Sequence, residues 1–206
     1  RDFNMEYPPL ALLAFSLPFL LSLGREITLQ QYFYLYLTIN ALLCITQSLI
    51  ILSLLRRWQS ETQRQINALG ILLVTVLICA PLIAWRYDLF PALLTLLSLY
   101  CLIENRNIIS GLSLGIAVST KLYPVVLVPV FALYLIVDKK IDSLKRFILG
   151  GGISIAALVP FFILSPNWLK LFLSYHQQRG LEIESLYSGI ILLFQMFGIG
   201  TANKIY

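Results

Sequence analysis

The chain has 206 residues, of which 59% are hydrophobic and 12% are charged, and its mean hydropathy is +0.83. A soluble domain cannot cover so much apolar surface, so the composition indicates an all-α, polytopic membrane protein. The formal net charge of +5 fits loops that face anionic lipid, and no basic run stands clear of the apolar segments, which makes nucleic acid a poor partner. The three cysteines lie inside apolar runs and are interpreted as small core residues.

Apolar runs alternate with short polar segments along the chain. The first run, residues 10–23, is short and contains Pro18, which we expect to break it, so it favours a re-entrant or interfacial hairpin over a full span. We expect residues 1–206 to form a single transmembrane domain within a longer chain, because the sequence starts without a signal peptide and stops just after an apolar run. Spans are predicted at 31–55, 66–85, 89–103, 108–119 with 122–137, 147–164 and 186–198.

The apolar stretch from residue 108 to residue 137 carries Lys121 in its middle. It exceeds the roughly 20 helical residues that cross a bilayer. Pro124 removes a backbone donor and disfavours helix at Tyr123, so we predict two apolar halves with a break at Lys121. An ionisable residue at membrane depth is costly, which points to a functional site facing a cavity. The alternative is a lysine that snorkels to the interface from a short helix end.

The two most basic loops are predicted to be cytoplasmic by the positive-inside rule. Their cations are Arg56, Arg57 and Arg64 in one loop, and Lys139, Lys140, Lys145 and Arg146 in the other. Two spans separate the first of these loops from the loop at Arg106, so that loop is cytoplasmic as well. The stretch 108–137 must then leave and return to the same side, which independently requires a break near Lys121. The far side collects residues 1–9, 85–88, 119–124 and 165–185, and these are expected to form the site.

The far side offers several anion ligands. Lys121 is a flexible point charge at a helix break, where free backbone N–H groups also reach an anion. Arg86 is a bidentate phosphate candidate, although with Asp88 it could instead form a simple ion pair or an interfacial belt. Arg179 and Glu184 lie in the densest polar run of this side. A short interfacial amphipathic helix is predicted just before that run, starting at Ser165-Pro166.

Two carboxylates, Asp2 and Glu6, lie near the start of the sequence. One of them could act as the general base that deprotonates an acceptor hydroxyl, and surface carboxylates beside a membrane are at least as plausible from composition alone. The only histidine, His176, is interpreted as solvated, so no histidine-based metal cluster is expected. The glycines of the run 150–152 are interpreted as close helix packing.

The sequence contains four short motifs, which are Arg1-Asp2-Phe3 with Glu6-Tyr7-Pro8-Pro9-Leu10, Arg86-Tyr87-Asp88-Leu89-Phe90-Pro91, Gly111-Leu112 through Thr120-Lys121-Leu122-Tyr123-Pro124, and Arg179-Gly180-Leu181-Glu182-Ile183-Glu184-Ser185. Together they resemble the GT-C class of membrane glycosyltransferases. The nearest likeness is to the polyprenyl-phosphate-mannose-dependent alpha-mannosyltransferases of actinobacterial envelope synthesis and their uncharacterised bacterial relatives. The most specific signal is the K-x-Y-P pattern after a Gly-rich apolar run.

The resemblance implies a GT-C-like helix bundle in the bacterial plasma membrane, with its active face non-cytoplasmic. Such an enzyme would move a mannose-like hexose from a polyprenyl-phosphate sugar to a lipid or glycan acceptor, with inversion at the sugar carbon. The sequence leaves open whether a divalent metal assists. Donor-phosphate binding would fall to Lys121, Arg86 and Arg179, with Tyr123, Asp88 and Glu184 in support.

The resemblance also bears on the catalytic base. The principal catalytic aspartate of the family lies early in the first large outer loop, a region upstream of Arg1, so Asp2 and Glu6 would be the retained tail of that loop. A multispan transporter or lipid flippase is the alternative function, because broken helices with charges at mid-membrane also mark transporters. No internal repeat supports it. A structural membrane subunit would leave Lys121 unexplained.

Overall fold

The computed structural model describes residues 7–58, 61–83, 86–165, 167, 170, 172–175 and 186–198. All regular structure within these ranges is helical, which confirms the predicted all-α membrane bundle. Three segments are long and apolar enough to cross a membrane, namely Leu29–Arg57, Thr62–Pro81 and Ile141–Leu164. The elements are α1 (Ala11–Leu21), α2 (Leu29–Trp58), α3 (Thr62–Ile83), α4 (Leu89–Ile103), α5 (Asn107–Thr120), a 3-10 helix (Tyr123–Val126), α6 (Leu127–Val137), α7 (Ile141–Ala156), α8 (Val159–Leu164) and α9 (Leu186–Met196).

The chain divides into two compact units. The larger unit, Tyr7–Ile163, contains α1 to α7 and nearly all of α8. The smaller unit contains Arg1–Glu6 and Leu164–Tyr206, and its described part includes α9 and a helical turn at residues 172–175. The remainder of the amphipathic helix predicted after Ser165 lies outside the described residues. How many of the predicted spans cross the bilayer, and whether 1–206 is a single transmembrane domain, stay predictions.

The break in the long apolar stretch is visible in the backbone. Helix α5 ends at Thr120, and Lys121 is extended, with φ −154° and ψ 136°. A 3-10 helix with Pro124 near its start follows before α6 begins. Proline lacks the N–H group that an α-helix would need here, and its ring disfavours helical backbone in the preceding residue. The interruption therefore falls at the residue where the sequence predicted it.

Helix α6 runs back along the bundle after this break. Phe131 and Leu135 on α6 pack against Leu102 near the end of α4 and Phe147 near the start of α7. The rings of Phe131 and Phe147 meet edge to face with centroids 6.2 Å apart. The end of α6 therefore lies where α4 ends and α7 begins. The two halves of the apolar stretch form a helical hairpin with Lys121 at its tip.

Reciprocal serine hydrogen bonds join α4 to α5. The Ser98 hydroxyl donates to the Ser110 carbonyl and the Ser110 hydroxyl donates to the Ser98 carbonyl, both at 2.8 Å. Both serines are fully buried, so the pair satisfies polar groups that would be costly in an apolar interior. We call this pair of hydrogen bonds between Ser98 and Ser110 the serine seam. Asp88 directly precedes α4 and Lys121 directly follows α5, so the seam holds these two residues at the same end of the helix pair.

Helices α5 and α7 approach with their backbones nearly in contact. A Cβ atom added at Gly111 would collide with the Phe147 carbonyl oxygen, and one at Gly150 would collide with the Ile108 carbonyl oxygen. A Cβ atom at Gly115 would meet a serine hydroxyl of α7. Gly111 and Gly115 are four residues apart and lie on one helix face, the small-residue arrangement that lets membrane helices approach closely. The glycine-rich part of α7 therefore provides close helix packing.

Helix boundaries differ from the predictions in three places. The expected break at Pro18 is wrong, because α1 runs through this buried proline despite the hydrogen bond that it removes and the steric clash of its ring with the preceding turn. Helix α7 starts at Ile141, whereas the predicted span starts at residue 147. Asp142 and Lys145, three residues apart on the exposed face of the helix, form an ion pair at 3.3 Å that stabilises this additional turn. A short turn separates α7 from α8 inside the apolar segment Ile141–Leu164, which contains the span predicted at 147–164.

We expect a methyl group at Gly111 or Gly150 to destabilise the bundle, because it cannot enter the α5–α7 interface without moving backbone. Overpacking of this kind costs about 1–3 kcal/mol. Gly152 is the matched control, since a Cβ atom there meets nothing within 4 Å. Thermal unfolding of the detergent-solubilised protein should give lower midpoints for Gly111→Ala and Gly150→Ala, and an equal or higher midpoint for Gly152→Ala. Equal midpoints for all three variants would rule out the close approach.

Candidate active site

Three of the segments predicted to gather on one side lie against each other in the larger unit. The Leu10 N–H group donates to the Ser119 carbonyl at 3.1 Å, which ties the chain before α1 to the end of α5. The Tyr87 hydroxyl donates to the Thr120 carbonyl at 3.2 Å in a buried hydrogen bond. The ring of Tyr7 meets the ring of Tyr87 edge to face with centroids 5.1 Å apart. These contacts surround the break at the end of α5.

The central feature of this region is an ion pair between Lys121 and Asp88. The Lys121 Nζ atom bonds to Asp88 Oδ1 and lies 5.5 Å from the centroid of the Tyr87 ring. The two side chains are 32% and 45% exposed, so both charges are partly removed from water while remaining accessible. A cation in such a place requires a counter-charge, and Asp88 provides it. The Lys121 ammonium group is therefore paired and still accessible from outside the bundle.

Asp88 pairs with Lys121 instead of capping the helix that it precedes. Aspartate at an N-cap position usually accepts a hydrogen bond from the first turn, yet Asp88 makes no side-chain cap hydrogen bond with α4. Its charge is still favourable at the N-terminus of α4, where the helix dipole is positive. The sequence did not indicate that Asp88 pairs with Lys121, and the structure shows this pair.

An aromatic wall borders the ion pair. We use this name for the cluster formed by Tyr7, Phe15, Tyr32, Tyr36, Tyr87 and Phe90, which packs with two alanines of α1. Its rings are in close contact, with centroids of Phe15 and Tyr87 separated by 4.9 Å. Burial raises the pKa of the Tyr87 phenol well above its ordinary value of 10.0, so this group stays protonated and remains a hydrogen-bond donor.

Sequence reasoning missed the contribution of α1 and α2 to this wall. Tyr32 and Tyr36 are four residues apart on α2, so they share one helix face, and their rings stack with centroids 6.2 Å apart. The Tyr32 hydroxyl donates to the Phe15 carbonyl at 3.0 Å. Two tyrosines four residues apart in a predicted span indicate a helix face that carries hydroxyl groups. This spacing is the signal that could have revealed the contribution of α2.

The remaining predicted site residues are placed as follows. Arg86 is partly buried and directly precedes Tyr87, so it lies in the same segment as the ion pair. Tyr123 begins the 3-10 helix two residues after Lys121 and is exposed. The structure thus brings Lys121 and Asp88 into contact, with Arg86 and Tyr123 as near neighbours in the chain. Asp2, Glu6, His176, Arg179 and Glu184 lie outside the described residues.

A second ion pair lies at the other end of α4. Arg57, in the last turn of α2, pairs with Glu104, which directly follows α4. Sixteen residues separate Asp88 from Glu104, a rise of roughly 24 Å along a helix. The two ion pairs mark the opposite ends of the α4–α5 layer. In the part of the chain that the structure describes, no group of three His, Cys, Asp or Glu side chains could hold a metal ion.

The chain matches the family model described as Glycosyltransferase family 87 over residues 5–204. No curated protein matches it. No solved structure matches it either. The family match covers nearly the whole chain, and the helical membrane bundle agrees with it. The chain belongs to glycosyltransferase family 87 and is a membrane glycosyltransferase of the GT-C type.

Proposed function

We propose that this enzyme transfers a mannose-like hexose from a polyprenyl-phosphate carrier to a lipid or glycan acceptor on the non-cytoplasmic face of the bacterial plasma membrane. The observation that carries the proposal is the accessible Lys121 ammonium group at the tip of a helical hairpin, paired with the partly exposed Asp88 carboxylate. A glycosyltransferase needs a cation where the phosphate leaving group gains charge. Lys121 is such a cation in a bundle whose other charges are sparse.

The depth of the site favours a lipid-linked donor. Helices α4 and α5 have 15 and 14 residues, fewer than the roughly 20 needed to cross a hydrocarbon core of about 30 Å. If the Arg57–Glu104 pair lies at the cytoplasmic interface, Lys121 and Asp88 lie several ångströms short of the opposite interface. A phosphate attached to a polyprenyl chain can reach that depth from the lipid, whereas a free nucleotide sugar would have to leave water to do so.

In the transfer reaction, the group that gains negative charge is the leaving phosphate. An acceptor hydroxyl oxygen forms a bond to C1 of the sugar while the bond from C1 to the phosphate oxygen breaks with its electron pair. The hydroxyl proton goes to a carboxylate base, for which Asp2 and Glu6 are the candidates. Attack from the side opposite the phosphate inverts C1.

The charge on the leaving group explains the need for cations. Polyprenyl-phosphate hexose is a phosphodiester with one negative charge, and the released polyprenyl phosphate acquires a second one. Cations beside the leaving oxygen therefore stabilise the transition state more than the ground state. We assign this role to Lys121 and Arg86, with Arg179 as a third ligand and Tyr123, Asp88 and Glu184 in support. A transporter or lipid flippase, the alternative function, gains nothing from membership of a glycosyltransferase family.

We propose that the two basic loops face the cytoplasm and that the hairpin tip at Lys121 faces the opposite side. Single-cysteine variants at positions 88, 121, 142 and 179, made after replacing the three native cysteines, test this arrangement by labelling with membrane-impermeant reagents. Positions 88, 121 and 179 should label from the non-cytoplasmic side and position 142 only from the cytoplasm. Labelling of positions 121 and 142 from the same side would contradict the proposed topology.

Replacement of Lys121 by alanine should reduce kcat/KM for polyprenyl-phosphate mannose by about 10- to 100-fold, the equivalent of a charge-assisted hydrogen bond of about 1.5–3 kcal/mol. Folding should change little, because Asp88 is 45% exposed and water can solvate it once Lys121 is gone. Radiolabelled hexose transfer, measured with both polyprenyl-phosphate mannose and polyprenyl-phosphate glucose, gives the activity.

Lys145→Ala is the matched control for this substitution. Lys145 also pairs with an aspartate, at 3.3 Å, but its side chain is 73% exposed and it lies on the first turns of α7. Its loss should leave transfer unchanged. Full activity of Lys121→Ala, or an equal loss in both variants, would remove the proposed phosphate-binding role.

A further inference from the structure

Two amide side chains of α2 donate hydrogen bonds to backbone carbonyls at the two ends of the segment that connects α3 to α4. The Asn40 amide donates to the carbonyl of Ile83, the last residue of α3, at 2.9 Å. The Gln47 amide donates to the carbonyl of Leu89, the first residue of α4, also at 2.9 Å. Helix α2 therefore holds both ends of the connection that supplies the counter-charge of Lys121.

These two amides lie on one face of α2, because the seven residues between positions 40 and 47 make two helical turns. Asn40 is 4% exposed, and Gln47 is partly buried. The Asn40 side chain also interacts with the hydroxyl of Tyr36, a member of the aromatic wall. Amide groups are costly inside an apolar helix unless they are hydrogen-bonded, and polar side chains at membrane depth point to a functional role.

The two hydrogen bonds differ in what they contribute to stability. Ile83 lies in the last turn of α3, where carbonyls lack a partner within the helix, so Asn40 supplies a partner that α3 cannot. Leu89 lies in the first turn of α4, where its carbonyl accepts a hydrogen bond of that helix. The bond from Gln47 is therefore not needed to satisfy the Leu89 carbonyl. Its effect is to fix the position of the residue that directly follows Asp88.

A continuous chain of contacts runs from Gln47 to the ammonium group of the site. Gln47 holds Leu89, Leu89 directly follows Asp88, and the Asp88 carboxylate bonds to the Lys121 Nζ atom. Helix α2 also holds the other end of α4, through the second ion pair described above. Contacts at both ends restrict movement of α4 along its axis, so α2 sets the position of the Asp88 carboxylate beside its lysine.

We propose that Gln47 is a positioning residue: its hydrogen bond to the start of α4 places Asp88, and through Asp88 the Lys121 ammonium group, where the leaving phosphate gains charge. Asn40 anchors the other end of the same segment. This inference rests on the proposed function, because it assumes that Lys121 receives the phosphate. Electrostatic stabilisation depends on groups that are in place before the reaction, and a misplacement of about 1 Å can slow a reaction about 100-fold.

Gln47→Met tests the proposal, because methionine has the length of glutamine without its N–H donors. In the intact chain in detergent micelles we expect kcat for hexose transfer to fall about 3- to 10-fold, since the lost positioning weakens an interaction that is strongest in the transition state. Affinity for undecaprenyl phosphate, which carries the extra charge of the product, should fall by a similar factor. The KM for the singly charged donor should change by less than about 2-fold.

The decisive test is a double variant that combines Gln47→Met with Lys121→Ala. If Gln47 acts through the ion pair, Gln47→Met should weaken undecaprenyl phosphate binding in the wild-type background and have no further effect in the Lys121→Ala background. Equal effects in the two backgrounds would show that Gln47 acts by another route, and would overturn the proposal.

Two further variants of α2 separate positioning from general damage. Gln30→Met removes the same kind of side chain from an exposed position, where the amide bonds to the Tyr34 hydroxyl of the same helix at 3.5 Å, and should leave kcat and affinity unchanged. Asn40→Leu removes the partner of the Ile83 carbonyl and should lower the thermal midpoint. Gln47→Met should leave the midpoint unchanged. A decrease as large as that of Asn40→Leu would make Gln47 a structural residue and overturn the proposal.

Unchanged kcat and affinity in Gln47→Met, or an equal loss in Gln30→Met, would also overturn it. Failure of the proposed function has a different signature. If wild type bound undecaprenyl phosphate but transferred neither mannose nor glucose from the polyprenyl carrier, the donor assignment would be wrong, while the affinities of the single and double variants would still support or refute the positioning role. If wild type did not bind undecaprenyl phosphate, the phosphate-binding role of Lys121 and this inference would both be wrong.

Discussion

A lysine at the end of an apolar helix must have a counter-charge, and much of this bundle is arranged so that Lys121 has one. The partner, Asp88, comes from a different segment, so the pair forms only when α4 and α5 are in register. Three sets of hydrogen bonds set that register. They are the serine seam between these helices, the bond from Leu10 to Ser119 and the bond from Tyr87 to Thr120. The result is a charge that is stable in the resting protein and still open to a stronger anion.

The glycines of α5 support the site from a distance. Contact between the backbones of α5 and α7 leaves no room for side chains on that face, so van der Waals packing holds α5 there, while serine hydrogen bonds hold its other face to α4. Packing of this kind is rigid, because a small displacement creates either a void or a collision. The break at Lys121 can therefore be exposed at the tip of the hairpin while the rest of α5 stays fixed.

Sequence reasoning predicted much of this architecture from two kinds of information. Hydropathy predicted the helices, and Pro124 predicted the interruption, since both are properties of local sequence. Pro18 misled the same reasoning, because the effect of a proline depends on whether packing compensates for one lost hydrogen bond. The first turns of α7, which contain Asp142 and Lys145, were predicted to be a loop. A helix with one solvated face can begin with charged residues, so the start of an apolar run does not mark the start of the helix.

The pairing within the site was harder to predict. Lys121 and Asp88 were both singled out, but the nearest cation in the sequence to Asp88 is Arg86, and only tertiary structure shows that Lys121 is its partner. The aromatic wall was not predicted at all, because it forms only when α1, α2 and the segment before α4 pack together.

The shortness of α4 and α5 has a consequence for the lipid around the enzyme. Helices of 15 and 14 residues are shorter than the hydrocarbon core of an ordinary bilayer, and thinning of the bilayer is one way to relieve such a mismatch, at a cost of a fraction of a kcal/mol per ångström. Thinning beside the hairpin tip draws lipid headgroups inward, toward the level of Lys121. With the lipid-linked donor proposed above, such thinning would shorten the path of the donor phosphate to Lys121.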